Sequence, residues 1–560
     1  MKKSIYTTLL LALLPLVCLG AGPRTIERTY VVTDRPYYAA GETIYCSLFC
    51  IDGSTSPHAL SPFSGVAYIE LYSTEGTGAT AKAALYEGRG SASIEIPRTL
   101  PTGNYRIAAY TAVQKNEEGI SLGHGARTVS IFNTTSSARI PEGVAIVEDY
   151  VPNQAPLPVD TGEISFSQRG GALSNSSTKD ATLSVSLYHE NGLQRYDSQT
   201  LSAFLSSFQK ATAFSDKAIP EYDGEIINVS ITDRSGNPIS TETWDEVFLS
   251  SPGSTADLYS SAIRNGKASF FTNNIYGSKE VVFSLSAALG NDTGATVDGL
   301  TVEVESPFVG LKAEGVPVLN LGRGMEATLS DLSVSAQVGE AFSADSTISL
   351  LSKRVLPFTG EAPISYVLDD YTRFPTMREV IIEFVSEVRA RRTREGVNIQ
   401  VKSQDNFRGA SNFSEGASLV LLDGVPVFNH GIVYEMDPLL VKRIDVFPYS
   451  FTIGMSIFNG VVNFVTYKGD MAGASLGAQS RMLSFKGVSV PQAIRGEGVV
   501  KGRNPILGKT LYWDPTVSIK KGGTATVDLL DPDYEGDLRV VVEGLSSDGS
   551  PIFASYLIRR

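Results

Sequence analysis

Apolar and polar residues alternate over short stretches along most of the chain, and the stretches end at Gly, Pro, Asn or Asp. In residues 24–135 this pattern predicts strands at 30–33, 43–51, 66–72, 91–96 and 105–111, the close spacing of a β-sandwich. Residues 181–188 alternate at period two, and 226–231, 247–250 and 265–271 form a further strand group. Leu419 to Leu422 and Val425 to Phe428 are apolar runs around Asp423-Gly424, the strongest short-range hairpin signal. Asp548-Gly549, between Leu545 and Ile552, predicts a last hairpin. Helical spacing appears twice. Residues 201–210 predict a short helix. Met377, Val380, Ile381, Phe384, Val385 and Val388 predict one helix over 374–396, with Pro375 in its first turn and Gly396 as its stop. Arg389, Arg391, Arg392 and Arg394 would then crowd its C-terminal end, complementing the helix dipole or offering a surface to an acidic partner. Four prolines between 136 and 160 read as a linker, and residues 286–360 are expected to hold further strands.

The first twenty residues follow the pattern of a secretory signal. Lys2 and Lys3 precede an apolar run from Leu9 to Val17, and small residues follow at Cys18, Gly20, Ala21 and Gly22. Cleavage after Gly20 is the expected outcome, with acylation of Cys18 as a lipoprotein cysteine the alternative. N-terminal sequencing of the exported form checks this: a free amine at residues 19–23 is expected. The formal charge of −13 becomes −15 when Lys2 and Lys3 leave. An acidic exported chain is a poor candidate for binding nucleic acid or an anionic membrane. Length predicts three to five domains. Cys46 and Cys50 fall on one face of a strand, about 13 Å apart, whereas a disulfide needs Cα atoms within about 7 Å. Two buried free thiols are therefore expected.

The hairpin Leu419 to Phe428, followed by Arg443-Ile444-Asp445-Val446 and by Asn459-Gly460-Val461-Val462-Asn463-Phe464-Val465-Thr466-Tyr467-Lys468-Gly469, resembles the plug domain of TonB-dependent outer-membrane receptors. Phe447-Pro448-Tyr449 departs from the plug pattern. The resemblance implies a barrel of about 22 strands around the plug, which needs more than about 200 residues in strands alone. Only residues 471–560 follow Asp470, so no transmembrane barrel of its own is expected. Thr33-Asp34-Arg35-Pro36-Tyr37-Tyr38 through Gly41-Glu42, together with Leu100-Pro101-Thr102-Gly103-Asn104-Tyr105, resembles a macroglobulin domain. Asp233-Arg234-Ser235-Gly236-Asn237-Pro238 resembles the first turn of a carboxypeptidase-regulatory-like domain, an accessory module without catalysis. The whole order resembles exported multidomain proteins of Bacteroidetes-type bacteria. The expected fold class is mostly β: tandem Ig/macroglobulin-like sandwiches with a small α+β plug-like domain. Its divisions are a signal peptide at 1–20, a macroglobulin-like sandwich at 24–135 and a second such segment at 160–222. A regulatory-like sandwich at 223–305, a connecting β segment at 306–364, the plug-like domain at 365–470 and a C-terminal β domain at 490–560 complete it.

Candidate chemistry is sparse. His58, His124, His189 and His430 sit in no HExxH, HxH or Cys-rich context, so no metal spacing arises. His124 reads as a loop residue and His430 as part of a solvated turn, with ligand contact the alternative. There is no GxSxG elbow, and Arg169-Gly170-Gly171 lacks the phosphate-loop frame. The Cys-Gly-Glu-Gln thioester of protease-trapping macroglobulins is absent. Catalytic, cofactor-binding and metal residues are therefore all read as none, with no cofactor. The expected function is non-enzymatic protein or ligand binding in the cell envelope, at the periplasm or outer-membrane surface, with an envelope protein or glycan as partner. The alternative is an accessory subunit docking on an outer-membrane TonB-dependent transporter.

Overall fold

A computed structural model describes residues 26–135, 143–148, 158–193, 197, 199–208, 211–253, 257–287, 297–341, 347–351, 362–394, 396–403, 412–413, 418–496 and 506–560. The signal segment, Cys18 and most of the proline-rich stretch lie outside them. Strands hold 49% of the described residues and helices 10%, so the chain is mostly β.

The first sandwich is a nine-stranded sheet that folds over on itself. The long Gly76–Tyr86 strand makes the fold: from Gly76 to Ala84 it pairs with Val66–Ser73, and its last two residues, Leu85 and Tyr86, pair with Gly90 and Arg89. In Thr43–Asp52, Ile44, Cys46, Leu48 and Cys50 alternate into the core with Val31, Ile69, Ile107 and Val129. Tyr45, Ser47 and Phe49 take the opposite face, against later parts of the chain. Both cysteines are free and fully buried, and burial raises both thiols well above their ordinary pKa. Alkylation of the native protein should accordingly be slow and should jump on denaturation. Rapid native labelling would refute the buried strand.

The remaining units are nested rather than consecutive. Ala181–His189 lies between Thr510–Ile519 and Leu538–Ser546, with Pro551–Ile558 at the edge. The segments drawn as separate at 160–222 and 490–560 thus share one six-stranded sheet, because neither supplies enough strands to bury its own apolar face. A second sandwich packs Lys267–Phe271, Ile226–Asp233 and Leu300–Val304 against Asp257–Ala262, Trp244–Ser251 and Ser278–Ala287. Its last strand, Ser480–Lys486, pairs with Ser278–Ala287 from nearly two hundred residues away.

Between those partners lies an α+β unit. Its sheet runs Ile364–Val367, Val441–Ile453, Ser456–Thr466, Leu419–Leu422, Val425–Pro426. Asp423 and Gly424 have φ of 48° and 78°, the left-handed pair of a tight primed turn. Gly424→Val should therefore lower the thermal midpoint, at a cost of about 1–3 kcal/mol in backbone strain. An unchanged midpoint with lost binding would instead give the turn a contact role. Pro448 falls at a register shift between Phe447 and Ser450, where a missing N–H is tolerated.

Two expectations are corrected and one is extended. The helix drawn over 374–396 spans only Met377–Phe384, capped by Thr376, and the chain then becomes the strand Val388–Thr393. Pro375 precedes the cap, and Gly396 (φ 131°) turns a hairpin. Pairing of Val388 and Ala390 with Val401 and Ile399 overrides the helical spacing. Residues 286–360 contain a long helix, Glu326–Ala341, besides their strands. In the stretch read as linker, Val144–Val147 pairs in parallel with Leu319–Gly322. The short helix at 201 forms as Leu201–Ser206.

Candidate functional site

A groove of about 500 Å³ opens where the first sandwich meets the long helix, within the size range of small-ligand sites. On the sandwich side, Phe132 ends its strand at 2% exposure. Asn133 fixes that end to the neighbouring turn: its Nδ2 donates to the carbonyls of Arg98 (2.8 Å) and Leu100 (2.9 Å), and its N–H to Thr102 Oγ1 (2.9 Å). On the helix side, Glu326, Leu329, Ser330 and Ser333 line the groove. Their i, i+3, i+4, i+7 spacing places them on one helix face. Leu332 and Ala336, on another face, join Tyr37, Tyr188 and Val541 in a shared core that fixes the helix to both β units. The groove thus has an apolar floor of Phe132, Leu321 and Leu329, a hydroxyl rim, and the carboxylate of Glu326. Among the described residues its lining holds no histidine, cysteine or lysine. Such a surface suits hydrogen bonding to hydroxyl or amide groups stacked on an apolar base.

Residues singled out in the sequence are held by joints between units. Asp34 accepts from Tyr38 Oη (2.7 Å), Tyr45 N–H (2.9 Å) and Thr510 Oγ1 (2.5 Å). Arg35 pairs with Glu42 (2.8 Å), donates to Thr510 Oγ1 (2.8 Å) and lies over the Tyr38 ring. The macroglobulin-like opening motif is therefore a clamp on the C-terminal sheet. A second joint centres on Glu543, which accepts from Leu201 N–H (2.7 Å) and Tyr30 Oη (2.8 Å) and pairs with Arg127 (3.1 Å). A third joins the first sandwich to the second. Lys82 pairs with Glu225 (2.6 Å), and Glu221 accepts from Tyr68 Oη (2.7 Å) and Ile226 N–H (2.9 Å). Burial pushes the Glu221 carboxyl up to about 7.

The hairpin Asp423 is likewise structural. Its buried carboxylate accepts from Thr466 N–H (2.7 Å), Thr466 Oγ1 (2.6 Å) and Met471 N–H (2.7 Å). The Asp-Gly turn and the Thr-Tyr-Lys-Gly segment are thus parts of one turn assembly. Its surroundings come from the second sandwich: Phe248 and Leu258 pack on Leu419, Leu421, Phe458 and Val461. Glu246 accepts from Met455 N–H (2.9 Å) and Ser456 Oγ (2.7 Å).

The histidines are dispersed. His430 is not in a solvated turn: it is half-buried, its Nδ1 accepts from Ile399 N–H (2.9 Å), and burial pulls its pKa down to about 4. His189, buried against Tyr534, is lowered to about 4 by burial and by Lys509. His124 packs on Phe204 and His58 stacks on Phe208. Among the described residues, no group of three or more His, Cys, Asp or Glu is placed to hold a metal. Apart from Thr102, in the Leu100–Tyr105 motif, the groove residues carry no motif. They come from segments about two hundred residues apart, one of them in the helix that the sequence pattern did not reveal.

No protein-family model matches the chain, and no curated protein matches it. Among solved structures, a Salmonella alpha-2-macroglobulin mutant aligns over 95% of this chain and 39% of its own, at 8% identity and a TM-score of 0.24. The Escherichia coli adhesin FdeC aligns over 47% of this chain and 59% of its own, at 15% identity and a TM-score of 0.14. The Yersinia pseudotuberculosis adhesin InvE aligns over 49% and 57%, at 15% identity and a TM-score of 0.13. The chain thus spans about two fifths of the macroglobulin and under two thirds of either adhesin. At this degree of overlap the likeness extends to no residue and no activity.

Proposed function

We propose that this chain is an exported, non-enzymatic protein of the bacterial envelope that binds a protein or glycan through its β modules. The observation that carries the reading is the groove between Phe132 and the Glu326–Ala341 helix, apolar at its base and rimmed by Thr134, Ser330 and Ser333. Its walls are held by two β units through one shared core, so the site is preformed and little ordering opposes binding. The secretory pattern of residues 1–20 supports export, and the charge of −13 argues against nucleic acid as partner.

The accessory-subunit reading rests on the plug-like motifs. It is disfavoured because one face of the α+β sheet is already covered by Phe248 and Leu258 of the second sandwich. The test is affinity capture from envelope extracts with the exported chain and with Ser330→Trp, which fills the groove from an exposed helix position. A protein or glycan held by the first and lost by the second supports the reading. Capture unchanged by Ser330→Trp, or turnover of a peptide, ester or glycan substrate, overturns it.

A further inference from the structure

The three-stranded sheet of the α+β unit ends in an open basic edge. Val388–Thr393 pairs with Gly396–Ser403, which pairs on its other side with Asn412–Phe413. The register places Ala390 opposite Ile399 and Arg392 opposite Val397. Ile399 sends its N–H away from this pair to His430 Nδ1, and Val401 sends its own to Ser418 Oγ, each at 2.9 Å. Hydrogen-bonded and non-hydrogen-bonded pairs alternate in an antiparallel ladder. Ala390 and Arg392 therefore belong to non-hydrogen-bonded pairs, and their N–H and C=O groups point to the free edge. Among the described residues these four backbone groups have no hydrogen-bond partner.

The side chains give this edge a sign. Arg391, Arg392 and Arg394 are exposed, and Arg389 lies 4.3 Å over the Phe413 ring. Among the described residues Arg392 pairs with Glu435, at 3.4 Å in an exposed pair, which offsets little. On a chain of net charge −13, four arginines within six residues form a local reversal of sign. A second copy is a poor occupant, because edge-to-edge pairing would set arginine against arginine.

We propose that the outer edge of Val388–Thr393 receives an extended acidic segment of a partner protein, which adds as a fourth strand of this sheet. Ala390 and Arg392 supply the backbone rungs, and Arg391 and Arg394 select carboxylates. This inference deepens the binding role proposed above by naming one surface and its partner.

The test uses the full exported chain and a fluorescein-labelled ten-residue peptide in which Glu alternates with Val and Thr. A peptide with Lys in place of Glu is the control. The acidic peptide should bind at low ionic strength and weaken at about 0.15 M salt, and the lysine peptide should not bind. Ala390→Pro removes an outward N–H that the internal ladder does not use, and should weaken binding at least about tenfold. Arg391→Glu combined with Arg394→Glu should do the same. The amides of Ala390 and Arg392 in the unaltered chain should gain protection from hydrogen exchange when the acidic peptide is present. Equal binding of the two peptides overturns the proposal. So does a correctly folded Ala390→Pro variant that binds as the parent does, or unprotected 390 and 392 amides in the peptide-bound parent. The groove measured with Ser330→Trp is separate from this edge, so failure here leaves that test of the binding role standing.

Discussion

Replacing Glu543 with alanine is expected to cost about 3–5 kcal/mol of stability, the range for removing one partner of a buried ion pair. Glu543 is fully buried on Leu538–Ser546. It joins three elements: the Arg127 guanidinium at 3.1 Å, the Tyr30 hydroxyl at 2.8 Å and the Leu201 N–H that opens a helix at 2.7 Å. Alanine would take from Arg127, only 1% exposed, the carboxylate it pairs with, while its guanidinium keeps hydrogen bonds to the Tyr30 hydroxyl and the Gln199 carbonyl. It would also strip the Leu201 N–H of its acceptor, whereas the Tyr30 hydroxyl keeps the Gln199 carbonyl at 2.6 Å. Glu543→Gln retains an acceptor oxygen and should lose less. The paired change Arg127→Met with Glu543→Leu should recover most of the loss, because it removes both charges together. Thermal and urea denaturation of the four proteins measure this. A Glu543→Ala midpoint equal to that of the parent would remove the joint from the account of stability.

Stability should fall as pH rises from about 4.5 to about 7 through one carboxyl, Glu221, by on the order of 3 kcal/mol. Burial between the two sandwiches raises this group from 4.5 to about 7, although Tyr68 and Ile226 donate to it. The folded state therefore keeps a proton that the unfolded state releases. Below pH 4.5 both states hold it, and the contribution is complete. Between 4.5 and 7 only the folded state holds it, and stability declines. Above 7 neither does, and the curve is flat. Glu221→Gln keeps the shape without the titration, so its stability relative to the parent should grow steadily across that window. Parallel curves for the two proteins from pH 4.5 to 8 would falsify the assignment.

Much of this fold is set locally. The alternation of Ile44, Cys46, Leu48 and Cys50 is enough to define a strand with one apolar face, and both thiols lie there, buried and unbridged. Asp423-Gly424 between two apolar runs defines a turn, because few residues other than Gly and Asn or Asp accept positive φ in succession. These signals depend on neighbours within a few residues, so a sequence states them directly. Other features depend on partners far along the chain. Val388 continues a helical spacing, yet it pairs with Val401 in a strand because a sheet position there buries it better than a frayed helix end. Ala181–His189 reads as part of a small local domain, yet its neighbours are Thr510–Ile519 and Leu538–Ser546. Asp34, Arg35 and Glu42 stand out as a motif, but their work as a clamp exists only once Thr510 arrives. The groove follows the same rule. The sequence by itself determined strands such as Thr43–Asp52, the Asp423-Gly424 turn and the buried thiols, whose causes are steric and local. The tertiary structure alone decided the nesting of units, the ionic joints and the groove, since each needs apolar faces and charges brought together across hundreds of residues.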